Sequence, residues 1–108
     1  MKTVCVLGAS GFIGKKTVEA LLLQKTYNVR ASVRKTSIIP EELKKNDSLK
    51  IMYSDICDRS SLIPVIKGCD IVINAAGVYR WWVPNDKLYK EVNEDGARNV
   101  AQVCADEK

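Results

Sequence analysis

Gly8-Ala9-Ser10-Gly11-Phe12-Ile13-Gly14 has the residue types and the spacing to hold a phosphate-bearing ligand. It follows a short apolar run, Thr3-Val4-Cys5-Val6-Leu7, and opens a segment, Phe12 to Gln24, whose apolar residues at 13, 18, 21 and 22 have a helical spacing. In that setting each glycine has a physical task. Gly8 lets the chain leave a strand in a tight turn, Gly11 lets the backbone approach a diphosphate closely, and Gly14 lets the helix pack against the sheet. The helix start adds N–H groups without intrahelical partners and the positive end of a dipole. Three glycines alone say little. The strand–glycine–helix context makes the segment a phosphate cradle, with Gly8, Ser10, Gly11, Phe12, Ile13 and Gly14 as its residues.

Other chemistries are excluded by what the chain lacks. It has no histidine, so neither a Ser-His nor a Cys-His nucleophilic pair can form within it. Cys5, Cys57, Cys69 and Cys104 make no C-x-x-C pair, and no metal site is expected. All four read as buried or half-buried thiols kept reduced in a cytoplasmic protein.

The elements that must position the cradle alternate regularly. Thr3–Leu7 reads as a first strand buried on both faces, and Tyr27–Val33, with Val29, Ala31 and Val33 on one side, as a second. Pro40–Lys45 is expected to form a short helix or turn, Leu49–Tyr53 a third strand, and Asp70–Asn74 a fourth. Between the last two strands, Ser60 or Ser61 can cap a helix whose first turn takes Pro64 and which Gly68 ends. From Asp86 to about Glu107 a long helix carries a stripe of Leu88, Val92, Gly96, Val100 and Val103. Such alternation predicts an α/β fold, a Rossmann-type doubly wound parallel sheet with strand order 3-2-1-4. A full sheet of this kind has more strands, so residues 1–108 are expected to be an incomplete dinucleotide-binding domain.

Composition agrees with a soluble domain. Leu, Ile, Val and Phe make up 30 of 108 residues, above the roughly 20% below which chains stay disordered. No apolar run approaches the ~20 residues of a membrane helix, and Val4–Leu7 is too short for a signal peptide. A net charge of +4, from 17 basic and 13 acidic residues spread along the chain, lacks the one-sided density of a nucleic-acid binder.

The G-x-x-G-x-x-G spacing resembles that of extended short-chain dehydrogenases/reductases, the NAD-dependent epimerase/dehydratase superfamily. Its members include dihydroflavonol reductases, 3β-hydroxysteroid dehydrogenases and nucleotide-sugar epimerases. Further landmarks fall in the family's order: a charged residue ending the second strand, Ser54-Asp55-Ile56 after the third, Asn74-Ala75-Ala76-Gly77 after the fourth, and Val92-Asn93-x-x-Gly96 in the last helix. The extended branch often has His where Asn74 stands. The look is closest to the dihydroflavonol reductase-like and 3β-hydroxysteroid dehydrogenase-like members.

The resemblance implies roles for named residues. Arg34 stands where an NAD enzyme would carry Asp or Glu for the ribose 2′-hydroxyl, and a guanidinium there suits the 2′-phosphate of NADP, with Ser32, Lys35, Lys44 and Lys45 near in sequence. Alternatively Arg34 is a solvated strand end. Asp55 would accept from the adenine amino group, with Ile56 packing on the ring; otherwise Asp55 is a turn residue or, like Asp58, a helix cap. Ala75, Ala76 and Gly77 would let the cofactor ribose pass. Tyr79, Arg80, Trp81 and Asn93 are substrate-pocket candidates, although the aromatic run could equally cover the sheet or meet a partner, and Asn93 could be a helix-flank polar residue.

Catalysis in this family uses a Tyr-x-x-x-Lys pair, in which lysine lowers the tyrosine pKa for proton exchange while hydride moves. Tyr27, Tyr53, Tyr79 and Tyr89 are followed four residues on by Ala31, Cys57, Val83 and Asn93. The expectation is therefore an NADP-binding part of a reductase of a small organic substrate, with no catalytic residue in this chain and the chemistry beyond residue 108. A nucleotide-sugar epimerase or dehydratase holding NAD, and a non-catalytic NADP sensor or scaffold, are the alternatives. No nucleic-acid or membrane partner is expected. The apolar fourth strand, at a sheet edge, allows homo-oligomer formation.

Overall fold

A computed structural model describes residues 1–34, 46–76 and 94–107. In chain order the elements are β1 (Lys2–Leu7), α1 (Phe12–Gln24), β2 (Tyr27–Val33), β3 (Leu49–Tyr53), α2 (Arg59–Ile66), β4 (Ile71–Asn74) and α3 (Ala97–Asp106). The strands form one sheet in the order β3-β2-β1-β4, all parallel. Fold class and strand order are those expected from the alternation of elements.

The pleat of β1 divides the core between two layers. Val4 and Val6 pack with Val18, Val29, Ala31 and Val33 on the α1 side. Cys5 and Leu7 point the other way, into Leu62, Val65, Ile66, Val100 and Val103 from α2 and α3. Such two-sided cover explains why β1 is a continuous apolar run. β4 lies at the edge, and Ile71 is 40% exposed there.

Helix ends depart from expectation in instructive ways. Asp58, rather than Ser60 or Ser61, is the N-cap of α2. Ser61 is committed elsewhere: its hydroxyl accepts from the Asp55 N–H at 3.0 Å and donates to the Asp58 carbonyl at 2.7 Å. With the helix starting earlier, Pro64 falls beyond the first turn, inside α2. It removes one intrahelical bond, and the helix persists because Leu62, Val65 and Ile66 are buried. Arg30 of β2 caps the other end, donating from Nη1 to the carbonyls of Val65 at 3.0 Å and Lys67 at 2.6 Å. Gly68 then breaks the helix at φ +81°, as expected.

At the far end, residues 94–96 make one π-helical turn before α3, and Val100 and Val103 carry the buried stripe. Leu88, Val92 and the Pro40–Lys45 segment lie outside the described residues. One thiol is a correction: Cys57 is exposed, whereas Cys5 is buried and Cys69 and Cys104 are half-buried. Cys57 sits in the turn after β3, where neither helix covers it. Among the described residues no helix is long and apolar enough to cross a membrane.

Candidate functional site

All four strands end at one edge of the sheet, and backbone bonds there tie the connecting loops together. Ala9 N–H donates to the Ser32 carbonyl at 3.1 Å, Ser54 N–H to Val33 at 3.0 Å, and Ala75 N–H to Leu7 at 2.9 Å. The site is thus a continuation of the sheet rather than a set of independent loops.

The cradle's glycines serve different ends. Gly8 has φ +74°, and a Cβ on it would lie 2.6–2.8 Å from the backbone of Ala75 and Ala76. It permits both the turn after β1 and the close passage of the chain leaving β4. A Cβ on Gly14 would overlap the Gly8 carbonyl oxygen and come within 2.8 Å of its carbon. Its close neighbour is therefore the loop backbone, where sheet packing was expected. Gly11 is unlike both: its φ is −75°, and a Cβ there would meet only the Gly8 oxygen, at an ordinary 3.5 Å. Nothing in the described chain requires that Gly11 be bare.

Gly11 caps α1 without a side-chain hydrogen bond, and the first turn has no acidic residue. Its N–H donates to Gly8 at 3.1 Å, and its carbonyl accepts from Lys15 at 2.8 Å to begin the helix. The first-turn N–H groups of Phe12, Ile13 and Gly14 form the positive helix end. Phe12 and Ile13 are 82% and 57% exposed beside them, and Ser10 is also exposed. An anion fits this end, and the bare Gly11 leaves room for its approach.

Arg34 follows β2 directly and is exposed. Ser32, its neighbour two residues back, is 2% exposed and its hydroxyl is hydrogen-bonded to that of Ser54. Ser32 therefore pins the ends of β2 and β3 instead of facing a phosphate.

The turn after β3 is built from side-chain hydrogen bonds. Asp55 is exposed, and its Oδ1 accepts from the Cys57 N–H at 2.9 Å. The Ile56 side chain is 7% exposed and belongs to the core cluster with Leu62, Val65, Val100 and Val103. Its carbonyl accepts from Asn99 Nδ2 of α3 at 2.9 Å. Ala75 and Ala76 are half-buried beside Gly8, and Asn74 Oδ1 accepts from Ala76 N–H at 3.1 Å. Gly77, Tyr79, Arg80, Trp81 and Asn93 lie outside the described residues, as do Lys35, Lys44 and Lys45.

Sequence reasoning missed the Ser32–Ser54 pair and Asn99. Asn99 carried a faint signal, a polar residue adjoining Val100 on the buried stripe of α3. The thiols offer no reactive centre in the core. Burial, with Cys69 nearby, pushes the Cys5 thiol up to about 12, and burial also raises those of Cys69 and Cys104. Among the described residues no group of three His, Cys, Asp or Glu could hold a metal ion.

A parallel sheet in this order, with a glycine-rich turn entering a helix at its carboxyl edge, defines a Rossmann-type domain. Comparison with known proteins makes the assignment specific. The NAD dependent epimerase/dehydratase family model matches residues 4–108, and the chain belongs to that family. It is 34% identical over 108 residues to cinnamoyl-CoA reductase 1 of Oryza sativa subsp. japonica, a match covering 95% of this chain and 30% of that protein. It is 30% identical over 111 residues to UDP-glucose 4-epimerase of Vibrio cholerae, covering 97% and 31%. The crystal structure of the Bordetella bronchiseptica enzyme WbmH in complex with NAD+ superposes with a TM-score of 0.78 at 28% identity, covering 99% of this chain and 36% of that one. The chain spans about a third of the length of these relatives.

Proposed function

We propose that the chain is the NADP-binding part of an oxidoreductase that moves hydride between NADP(H) and a carbonyl or secondary alcohol of a small organic substrate. The observation that carries this reading is the contrast within the cradle. Neighbouring backbone requires Gly8 and Gly14, while Gly11 is bare with room to spare. A ligand approaching from outside accounts for that, and the first-turn N–H groups of α1 would hold its diphosphate. Ser10, Phe12 and Ile13 line the approach.

Arg34 would hold the 2′-phosphate as a planar donor fork. Asp55 would accept from the adenine amino group, with Ile56 packing on the ring. Ala75, Ala76 and Gly77 would border the ribose, with Tyr79, Arg80, Trp81 and Asn93 on the substrate side. A nicotinamide, when bound, supplies or takes up the hydride. Proton exchange is assigned to a tyrosine and lysine beyond residue 108. A cytoplasmic setting belongs to the same proposal, supported by protonated core thiols suited to a reducing compartment.

The Vibrio cholerae epimerase and the NAD+ complex of WbmH favour a second reading, a nucleotide-sugar epimerase or dehydratase that keeps NAD. Arg34 speaks against it. Titration of the full-length protein with NADPH and NADH decides between them. NADPH should bind more tightly, and Arg34→Asp should remove the preference, a loss of about 1.5–3 kcal/mol or roughly ten- to a hundredfold. Equal affinities in the wild type would overturn the NADP reading. Tight binding without turnover of any carbonyl substrate would instead identify a sensor or scaffold.

A further inference from the structure

Asn99 has no place in the cofactor reading above, yet its side-chain amide reaches the turn that reading assigns to the base. Most bonds shaping that turn are local. Asp58 N–H donates to the Asp55 carbonyl at 2.8 Å, and the Ser61 hydroxyl accepts from the Asp55 N–H at 3.0 Å. Asn99 comes from 43 residues away, on α3, and donates from Nδ2 to the Ile56 carbonyl at 2.9 Å.

The position of that carbonyl matters. The Ile56–Cys57 peptide is planar and trans, as no cis peptide bond occurs among the described residues. Its C=O and its N–H therefore point in opposite directions. Asn99 holds the C=O end, and the N–H end donates to Asp55 Oδ1 at 2.9 Å. One rigid unit thus links the α3 amide to the Asp55 carboxylate. The Ile56 side chain, locked in the core with Leu62, Val65, Val100 and Val103, prevents the unit from rolling.

We propose that Asn99 is a positioning residue for base recognition, fixing the Ile56–Cys57 peptide so that the Asp55 carboxylate is held toward the 6-amino group of adenine. The inference rests on the reading of Asp55 as the adenine acceptor. A neighbouring link provides a control. Arg59 at the start of α2 and Asp106 at the end of α3 form an ion pair at 2.7 Å, which joins α3 to α2 itself and leaves the Asp55–Cys57 peptides unbonded to it.

The test compares NADPH with its hypoxanthine counterpart, in which a carbonyl oxygen replaces the 6-amino group. Binding to the full-length protein is measured for wild type, Asn99→Ala, Asn99→Asp and Arg59→Ala. Wild type should prefer the adenine form by about tenfold or more, the worth of a charge-assisted hydrogen bond. Both Asn99 variants should lower that preference to within about threefold through weaker adenine binding, and hydrogen exchange at the Cys57 amide should speed up. Arg59→Ala should keep both at wild-type values. Wild-type discrimination that survives in the Asn99 variants would overturn the positioning role alone. So would an Arg59→Ala protein that loses discrimination equally, since helix packing would then be the cause. A wild type blind to the exchange of base would remove the Asp55 reading and this proposal with it. Should one Asn99 variant fail to fold, the other and its Cys57 exchange rate decide.

Discussion

The β1–α1 and β3–α2 connections stand at the same edge of the sheet and are built in opposite ways. The first is shaped by side chains that are missing: Gly8 and Gly14 are bare because backbone passes within van der Waals distance of them. The second is shaped by side chains that are present, with Asp55, Ser61 and Asn99 all bonded to its main chain. Bare positions let backbone pass closely in the first connection, while side-chain hydrogen bonds hold the second in shape. Perturbations of the two should therefore differ in size and in kind.

The largest effect is expected where backbone already fills the space. Gly14→Ala and Gly8→Ala should each destabilise the domain by about 3–5 kcal/mol, combining overpacking with, at Gly8, left-handed strain. Gly11→Val should leave the melting temperature within a few degrees of wild type and abolish dinucleotide binding. Denaturant melts paired with cofactor titration separate the three. A Gly11 variant that unfolds like Gly14→Ala, or binds normally, would erase the distinction drawn within the cradle.

The two layers also differ in what they can titrate. The fully buried residues of the α1 layer are valines and alanines, whereas the buried Cys5 lies in the α2–α3 layer with Cys69 and Cys104 against it. The Cys5 thiol is raised from 9.0 to about 12. Between those values the unfolded chain has lost a proton that the folded chain keeps, so stability falls as pH rises. The contribution is intact below pH 9 and declines through pH 12, by up to about 4 kcal/mol. Urea melts at pH 8 and pH 11 should show a steeper loss for wild type than for Cys5→Val. Equal slopes would mean that the thiol does not sense the core.

A smaller effect is expected within the β3–α2 turn itself. Ser61→Ala removes the acceptor for the Asp55 N–H and the donor to the Asp58 carbonyl, at a cost of about 1–2 kcal/mol since the turn is partly solvated. Thermal melts measure it. A neutral substitution would show that the turn is held mainly from α3.

How far each connection could be read from sequence follows from how it is built. Glycine spacing after an apolar run is local, so the turn from β1 into α1, the strands at Tyr27–Val33 and Leu49–Tyr53, and the order 3-2-1-4 were legible. The spacing gives Gly8, Gly11 and Gly14 separate tasks, but only the packed chain shows that the loop at Gly8, and not the sheet, lies against Gly14. In the β3–α2 turn, Asp55 was visible as a candidate, but its partner Asn99 is far along the chain. Ser60 and Ser61 both read as caps because Ser, Thr, Asp and Asn compete for the same donors at helix starts, and Asp58 takes the position. Nothing local records that Ile56 packs with Leu62 and Val100.

The smallest effect isolates one of Gly8's two burdens. Lys25, at the end of α1, also has a left-handed backbone, with φ 58° and its N–H bonded to the Leu22 carbonyl. It bears that strain with a side chain, in an exposed position. A left-handed residue other than glycine costs about 1–2 kcal/mol, and glycine gives back roughly 0.5–1 of this in the entropy of the unfolded chain. Lys25→Gly should therefore stabilise the domain by about 0.5–1 kcal/mol and leave cofactor affinity unchanged. Set beside Gly8→Ala, where the same backbone strain is joined by contacts of 2.6–2.8 Å, it divides conformational strain from close approach. If Lys25→Gly gained as much as Gly8→Ala lost, strain alone would govern both positions, and the passage of Ala75–Ala76 over Gly8 would carry no energetic weight.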